Sequence, residues 1–251
     1  MSLDEGQRVE YSKNIASALL VDFGFVVEDI PESDTKRADL DVTDGEDQYI
    51  VEVKEKLITD SKARVITMGD AETPVRATRE PHSRSNRLDG ILKHGRKQLE
   101  NTPSSDAAFK LIFLNSYGPG ADMVFRRALF TFYGVRNLIP DRDDYDSVNC
   151  VYFDNSFAYS APTVDGLILG EDDGFQICVN EFSPKHDAFL DSLMVERFGN
   201  AVYSSKKFEE DDDIYVLRSD ISRKHENDVL AEIARLTGRT YRTMELNRYS
   251  F

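Results

Sequence analysis

The run from Arg37 to Lys54, RADLDVTDGEDQYIVEVK, carries the side chains best placed for chemistry. An acid, Asp39, stands on a short apolar segment. A turn-forming stretch follows, and an apolar strand then carries Glu52 and Lys54. Residues two apart on a strand point to the same face, so Glu52 and Lys54 share one, and the preceding strand can bring Asp39 beside them. Two carboxylates and a lysine on adjacent strands can hold a hard divalent cation and place a water against a phosphodiester. Asp41 lies two residues from Asp39 and shares its face, which makes it an alternative ligand.

The elements that must position these residues are legible around them. Val9, Ile15, Ala16, Leu19, Leu20 and Phe23 recur at helical spacing between Glu5 and Phe23, and Gly24 is a stop. A strand is expected over Phe25–Ile30. A hairpin is expected from Ala38–Val42 and Gln48–Glu55 around Thr43-Asp-Gly-Glu-Asp47. The polar stretch from Leu57 to Arg87 reads as a long loop. A helix follows over Leu88–Glu100 with Ile91, Leu92 and Leu99 inward, then an apolar strand over Ala107–Asn115. A helix over Asp122–Tyr133 should touch the core through Met123, Leu129, Phe130 and Tyr133. The acidic loop Pro140–Asp146 is the natural boundary between a core (1–140) and an α+β extension (141–251), which can also be read as completing the same domain. In the second part, strands are expected at Asn149–Phe153, Val164–Gly170, Phe175–Asn180, Ile214–Leu217 and Tyr241–Leu246. Helices are expected at Asp187–Phe198 and from a Ser222 cap through Leu236 to Gly238.

Composition narrows the classes. The 251 residues carry a net charge of −15, so a polyanion-binding protein of this kind must concentrate its cations locally. From Ser61 to Lys97 there are nine Lys/Arg against four acids, a net +5, which leaves −20 on the rest. Within that segment, Arg76, Arg79, Arg84, Arg87, Lys93 and Lys97 are candidates for nucleic-acid contact, with a solvated mixed-charge loop as the plain alternative. Cys150 and Cys178 are too few and too scattered for a zinc site or a disulfide framework. With no signal-peptide pattern and no membrane-spanning apolar run, a reducing cytoplasm is the expected home. The four histidines have no metal-ligand spacing.

Together these residues resemble the PD-(D/E)XK nuclease superfamily, with a Holliday-junction-resolvase and Mrr-like flavour over roughly the first 115 residues. Gly6-Gln-Arg-Val-Glu10 is similar to the opening of the first helix, Ala38-Asp39 stands in place of the family's Pro-Asp, and Glu52-Val53-Lys54 is the (D/E)XK element. Ile91 to Leu99, with Gln98, is similar to the helix that follows. The resemblance implies an α/β (α+β) restriction-endonuclease-like core, a mixed central sheet flanked by helices. It also implies Mg²⁺ or Mn²⁺ held by Asp39, Glu52 and the Val53 carbonyl, with Lys54 activating water. Glu10 and Gln98 would be auxiliary catalytic residues, and Ser33 a phosphate contact. Glu10 reads equally well as a helix-start glutamate favoured by the dipole, and Gln98 as a surface amide.

The expected function is therefore Mg²⁺-dependent hydrolysis of phosphodiesters, in DNA for restriction, phage defence or repair, with RNA an open alternative. The competing reading is a catalytically silent module of the same fold that binds nucleic acid or a protein partner. The acidic C-terminal part, poor in interleaved basic and aromatic residues, suits a protein partner or a homodimer. Lys54, read as an exposed strand lysine, should be replaceable by Ala without loss of the fold.

Overall fold

In a computed structural model of the chain, residues 5–57, 84–118, 120–141, 146–171 and 174–243 are described. The fold is mixed α/β, with a large mixed sheet flanked by helices. The chain opens with α1 (Glu5–Asp22), β1 (Val26–Asp29), β2 (Leu40–Thr43) and β3 (Gln48–Leu57). The β2–β3 turn is tied by the Asp44 carboxylate, which accepts from the Glu46 and Asp47 amides. Gly45 supplies the positive φ of 99° that the turn needs. Then come α2 (Asn86–Asn101), β4 (Phe109–Tyr117), α3 (Ala121–Tyr133), β5 (Arg136–Pro140), β6 (Val148–Val151), α4 (Phe157–Ser160), β7 (Gly166–Glu171) and β8 (Gly174–Val179). The remainder is α5 (His186–Leu190), α6 (Leu193–Phe198), β9 (Val202–Tyr203), α7 (Ser205–Glu209), β10 (Ile214–Val216), α8 (Glu226–Thr237) and β11 (Tyr241–Thr243).

Seven strands form one sheet in the order β1-β2-β3-β4-β7-β8-β9. The first three pair antiparallel, β3-β4 and β4-β7 are parallel, β7-β8 is antiparallel and β8-β9 parallel. Alternation on β3 and β4 divides the core. Tyr49, Val51, Val53, Leu111 and Phe113 face α1, α5 and α6, burying Ala16, Leu20, Phe189 and Met194. Ile50, Ile112 and Leu114 face α2, α3 and α4, burying Leu92, Leu99, Phe132 and Phe157. Burial on both faces explains the near-continuous apolar run of β4. A second sheet, β10-β6-β5-β11, packs with α8 around Leu138, Cys150, Phe153 and Ile233. The loop at 140/141 joins two strands of this second sheet, and the seven-stranded sheet draws β7, β8 and β9 from beyond it.

Several expected elements differ. Pro140 ends a strand, β5, rather than opening a loop. The helix expected over 187–198 is two, because the chain turns extended at Ser192 (ψ 154°), whose hydroxyl donates to the Phe189 carbonyl. The break lets both Phe189 and Met194 reach the core. Ser222 caps nothing: α8 begins only at Glu226. The Arg223 guanidinium holds the preceding segment by donating to the carbonyls of Tyr152, Leu217, Ser219 and Ile221. On α3 Tyr133 is buried as expected and Leu129 and Phe130 pack against the core from its edge, while Val124, Phe125, Ala128 and Phe132 form the rest of the inward face and Met123 is only half-buried. After α3 the chain turns at Gly134, φ 64°, where a Cβ would lie 2.4 Å from the Asp154 carbonyl oxygen. Only glycine fits there.

Candidate active site

The register of β2 against β3 builds the site. Leu40 pairs with Val51, which sets Asp39 opposite Glu52. Paired residues of antiparallel strands share a face, so both carboxylates and Lys54 stand on the α2 side of the sheet. β2 begins here, at Leu40, while β3 continues to Leu57 beside β4. Asp39 completes the ladder with its side chain, its Oδ2 accepting from the Val53 amide at 2.8 Å. The Val51 carbonyl accepts from the Asp39 amide. Two residues on, the Val53 carbonyl is directed to the same edge by the strand repeat.

Glu52 is 0% exposed. Its Oε1 accepts from Lys54 Nζ, and its Oε2 is buried with no hydrogen-bond partner among the described residues. Burial pushes the Glu52 carboxyl up to about 8, the Lys54 ammonium offsets part of this, and the Asp39 carboxylate adds to it. Lys54 also donates to Gln98 Oε1 at 2.7 Å, and Gln98 Nε2 donates to the Arg37 carbonyl at 3.0 Å. Gln98 therefore ties α2 both to the lysine and to the segment leading into Asp39. The Lys54 side chain is only 17% exposed. It is a half-enclosed partner of a buried acid, not the free strand lysine the sequence suggests, because α2 lies over this part of β3.

These groups open into a cleft of about 670 Å³ between α2 and the middle of α1, which reaches it through Ser12. Asp39, Glu52, Val53, Lys54 and Gln98 line it, and so do Lys36, Arg87, Ile91 and His94. Burial, then the charges of Lys54, Lys36 and Lys97, hold His94 below the usual imidazole range. α2 is seated by Ser85, whose hydroxyl accepts from the Leu88 amide, and by Thr102, which donates to the Gln98 carbonyl and accepts from the Ala38 amide. Its inward residues are Leu88, Leu92, Gly95 and Leu99. Gly95 is a residue the sequence reading passed over. A Cβ there would meet Ile112 Cδ1 at 3.3 Å and Glu52 Cγ at 3.4 Å, so its smallness lets α2 lie against the acid. Its place among the inward leucines at helical spacing was the available signal.

Other candidates lie elsewhere. Both oxygens of Asp41 accept from Gln48 Nε2 at 2.9 Å, and Asp41 does not line the cleft. Glu10 is exposed on α1, where Ser12 rather than Glu10 reaches the cleft wall. Ser33 is exposed and donates to the Thr35 carbonyl. Arg84 and Lys93 both bind Asp89, at 2.7 and 2.8 Å, and Lys97 is exposed. Arg76 and Arg79 lie outside the described residues. Among the described residues, no three His, Cys, Asp or Glu side chains gather as a metal cluster, and the arrangement here is two carboxylates and a main-chain carbonyl. No family model, curated protein or solved structure matches the chain.

Proposed function

We propose that the chain is a divalent-metal-dependent nuclease with a restriction-endonuclease-like core, hydrolysing phosphodiesters most naturally in DNA. The observation that carries this reading is the buried Glu52 carboxylate, one oxygen unpartnered among the described residues, facing Asp39 across the strand pair. A buried carboxylate beside a second, half-buried one is unfavourable unless protons or cations neutralise them, and the Lys54 ammonium supplies a single charge. The residues fit Mg²⁺ or Mn²⁺: Asp39, Glu52 and the Val53 carbonyl would hold it through oxygen donors, as a hard cation requires. When bound, such an ion neutralises phosphoryl oxygens and acidifies a coordinated water.

The chain's own residues do the rest. Asp39 is fixed by the Val53 amide, so its carboxylate has one orientation. Lys54, held by Gln98, offers its ammonium to the attacking water or to a phosphate oxygen, where negative charge grows in the transition state. The cleft is open enough to admit a strand and lies between two helices that limit its approach.

The test is cleavage of supercoiled, linear, single-stranded and branched DNA and of RNA, with Mg²⁺ or Mn²⁺, by the parent and by Lys54→Ala. We expect metal-dependent cutting that falls at least 100-fold in the variant. Its folding should be checked, because removing Lys54 leaves Glu52 Oε1 and Gln98 Oε1 without their donor, at about 1–3 kcal/mol. A folded parent that cuts nothing would sink the catalytic reading and leave a binding module.

A further inference from the structure

We propose that Lys36, His94 and Arg87 form a phosphate-binding track that carries one nucleic-acid strand from the Asp39–Glu52 centre along α2 toward its N-terminus. The inference rests on reading the cleft as a nuclease site. It follows from sorting the cations around α2 by what already holds them. Arg84 and Lys93 are bound to Asp89, Arg96 to Glu100 and the Ser160 carbonyl, and Lys54 to Glu52 and Gln98. Lys36, Arg87 and His94 line the cleft, and none of them has a carboxylate partner among the described residues. The structure thus separates cations that hold the fold from groups that face the cavity, where Lys36 and Arg87 offer charge and His94, its imidazole held below the usual range, offers a ring N–H.

Their spacing gives the track a direction. Arg87, His94 and Gln98 lie on one side of α2, His94 about one turn and Arg87 about three turns before Gln98. At ~1.5 Å per residue, His94 is about 6 Å and Arg87 about 16 Å along the axis from Gln98, which touches Lys54. A nucleic-acid strand advances ~3.4 Å per nucleotide, so His94 would meet a phosphate one or two steps from the reacting one, and Arg87 one several steps on. Lys36 flanks the reacting centre from the other end of the track: the carbonyls of Lys36 and Arg37 accept from Asn101 and Gln98 near the C-terminal end of α2, and the Lys36 side chain lines the same cleft as His94. The positive end of the α2 dipole lies at the Arg87 end and favours the same polarity of charge. Because the contacts are to phosphate, the track serves a deoxy or a ribo strand alike.

The experiment is fluorescence-anisotropy titration in EDTA, over a range of salt, with labelled oligothymidylate and oligouridylate. The expected result is parent binding at low salt, with Lys36→Ala and Arg87→Ala each weakening it roughly threefold or more and reducing the salt slope by ~0.7. His94→Ala should weaken binding of both probes. Lys93→Ala, which removes a cation held by Asp89 outside the cleft, should leave the slope unchanged. Parent-like affinity and slope in Lys36→Ala and Arg87→Ala, no binding by the parent, or a loss confined to the ribo probe would each overturn the track. The two readings fail separately. Weakened binding in these variants from a parent that cleaves nothing keeps the track and removes the catalysis, whereas metal-dependent cleavage with unchanged slopes does the reverse.

Discussion

Glu52 sets the chemistry of the site through its lack of water. Its carboxyl is raised from 4.5 to about 8, so the folded state holds a proton that the unfolded chain releases near 4.5. In metal-free buffer its contribution to stability is full below pH 4.5 and is lost as pH rises through about 8. Glu52→Gln removes this loss while still offering Lys54 an acceptor. We therefore expect Glu52→Gln in EDTA at pH 8 to be more stable than the parent by about 1–3 kcal/mol, with a flatter dependence of melting temperature on pH. Added Mg²⁺ should raise the melting temperature of the parent and not of the variant. A parent whose stability is level from pH 5 to 8 in EDTA would show that Glu52 is ionised throughout.

At the scale of elements, the site depends on how closely α2 lies on β3. Gly95 sets that distance, since a methyl group would press on Ile112 and on Glu52 itself. Gly95→Ala gains up to about 1 kcal/mol of helix propensity and loses a similar amount to crowding. We expect near-parental stability with cleavage reduced about tenfold, read as a fall in kcat at little-changed KM. A variant with parental kcat would mean that Glu52 yields freely to the added methyl. Gln98 belongs to the same scale. Its two hydrogen bonds join α2, β3 and the segment before Asp39, so a residue legible from sequence only as an amide on a helix serves to hold the lysine in place.

For the whole molecule, the consequence is in the sheet order. β4 pairs with β7 from Leu111↔Gly166 to Asn115↔Gly170. Both core clusters then continue into residues beyond 141, among them Val164, Leu167, Ile177 and Phe189. A fragment ending at Pro140 would expose the β4 edge and, among the described residues, lack ten of the 24 buried in one core and seven of the 18 in the other. We expect it to be insoluble or to lack cooperative unfolding by circular dichroism. A soluble fragment with a sigmoidal melt would make the remaining residues a separate unit.

The hairpin that pairs Asp39 with Glu52 was readable in sequence, because a five-residue turn between alternating apolar runs fixes register locally. So, to within two residues, were the extents of α1, α2, β3 and β4, where apolar runs and the breaks between them are local signals. The second half was harder. Ser192 breaks a helix by a bond to its own preceding turn, and Arg223 delays another through carbonyls that only the fold gathers. Which side chains could do chemistry, and on which strands they lie, follows from local pattern alone, since a two-residue repeat and a tight turn are local properties. That Glu52 is buried, that Lys54 is enclosed by Gln98, that Arg84 and Lys93 are held by Asp89, and that Lys36 and His94 face the cleft came from packing. Burial and charge pairing depend on which distant segments pack together, and no local pattern encodes them.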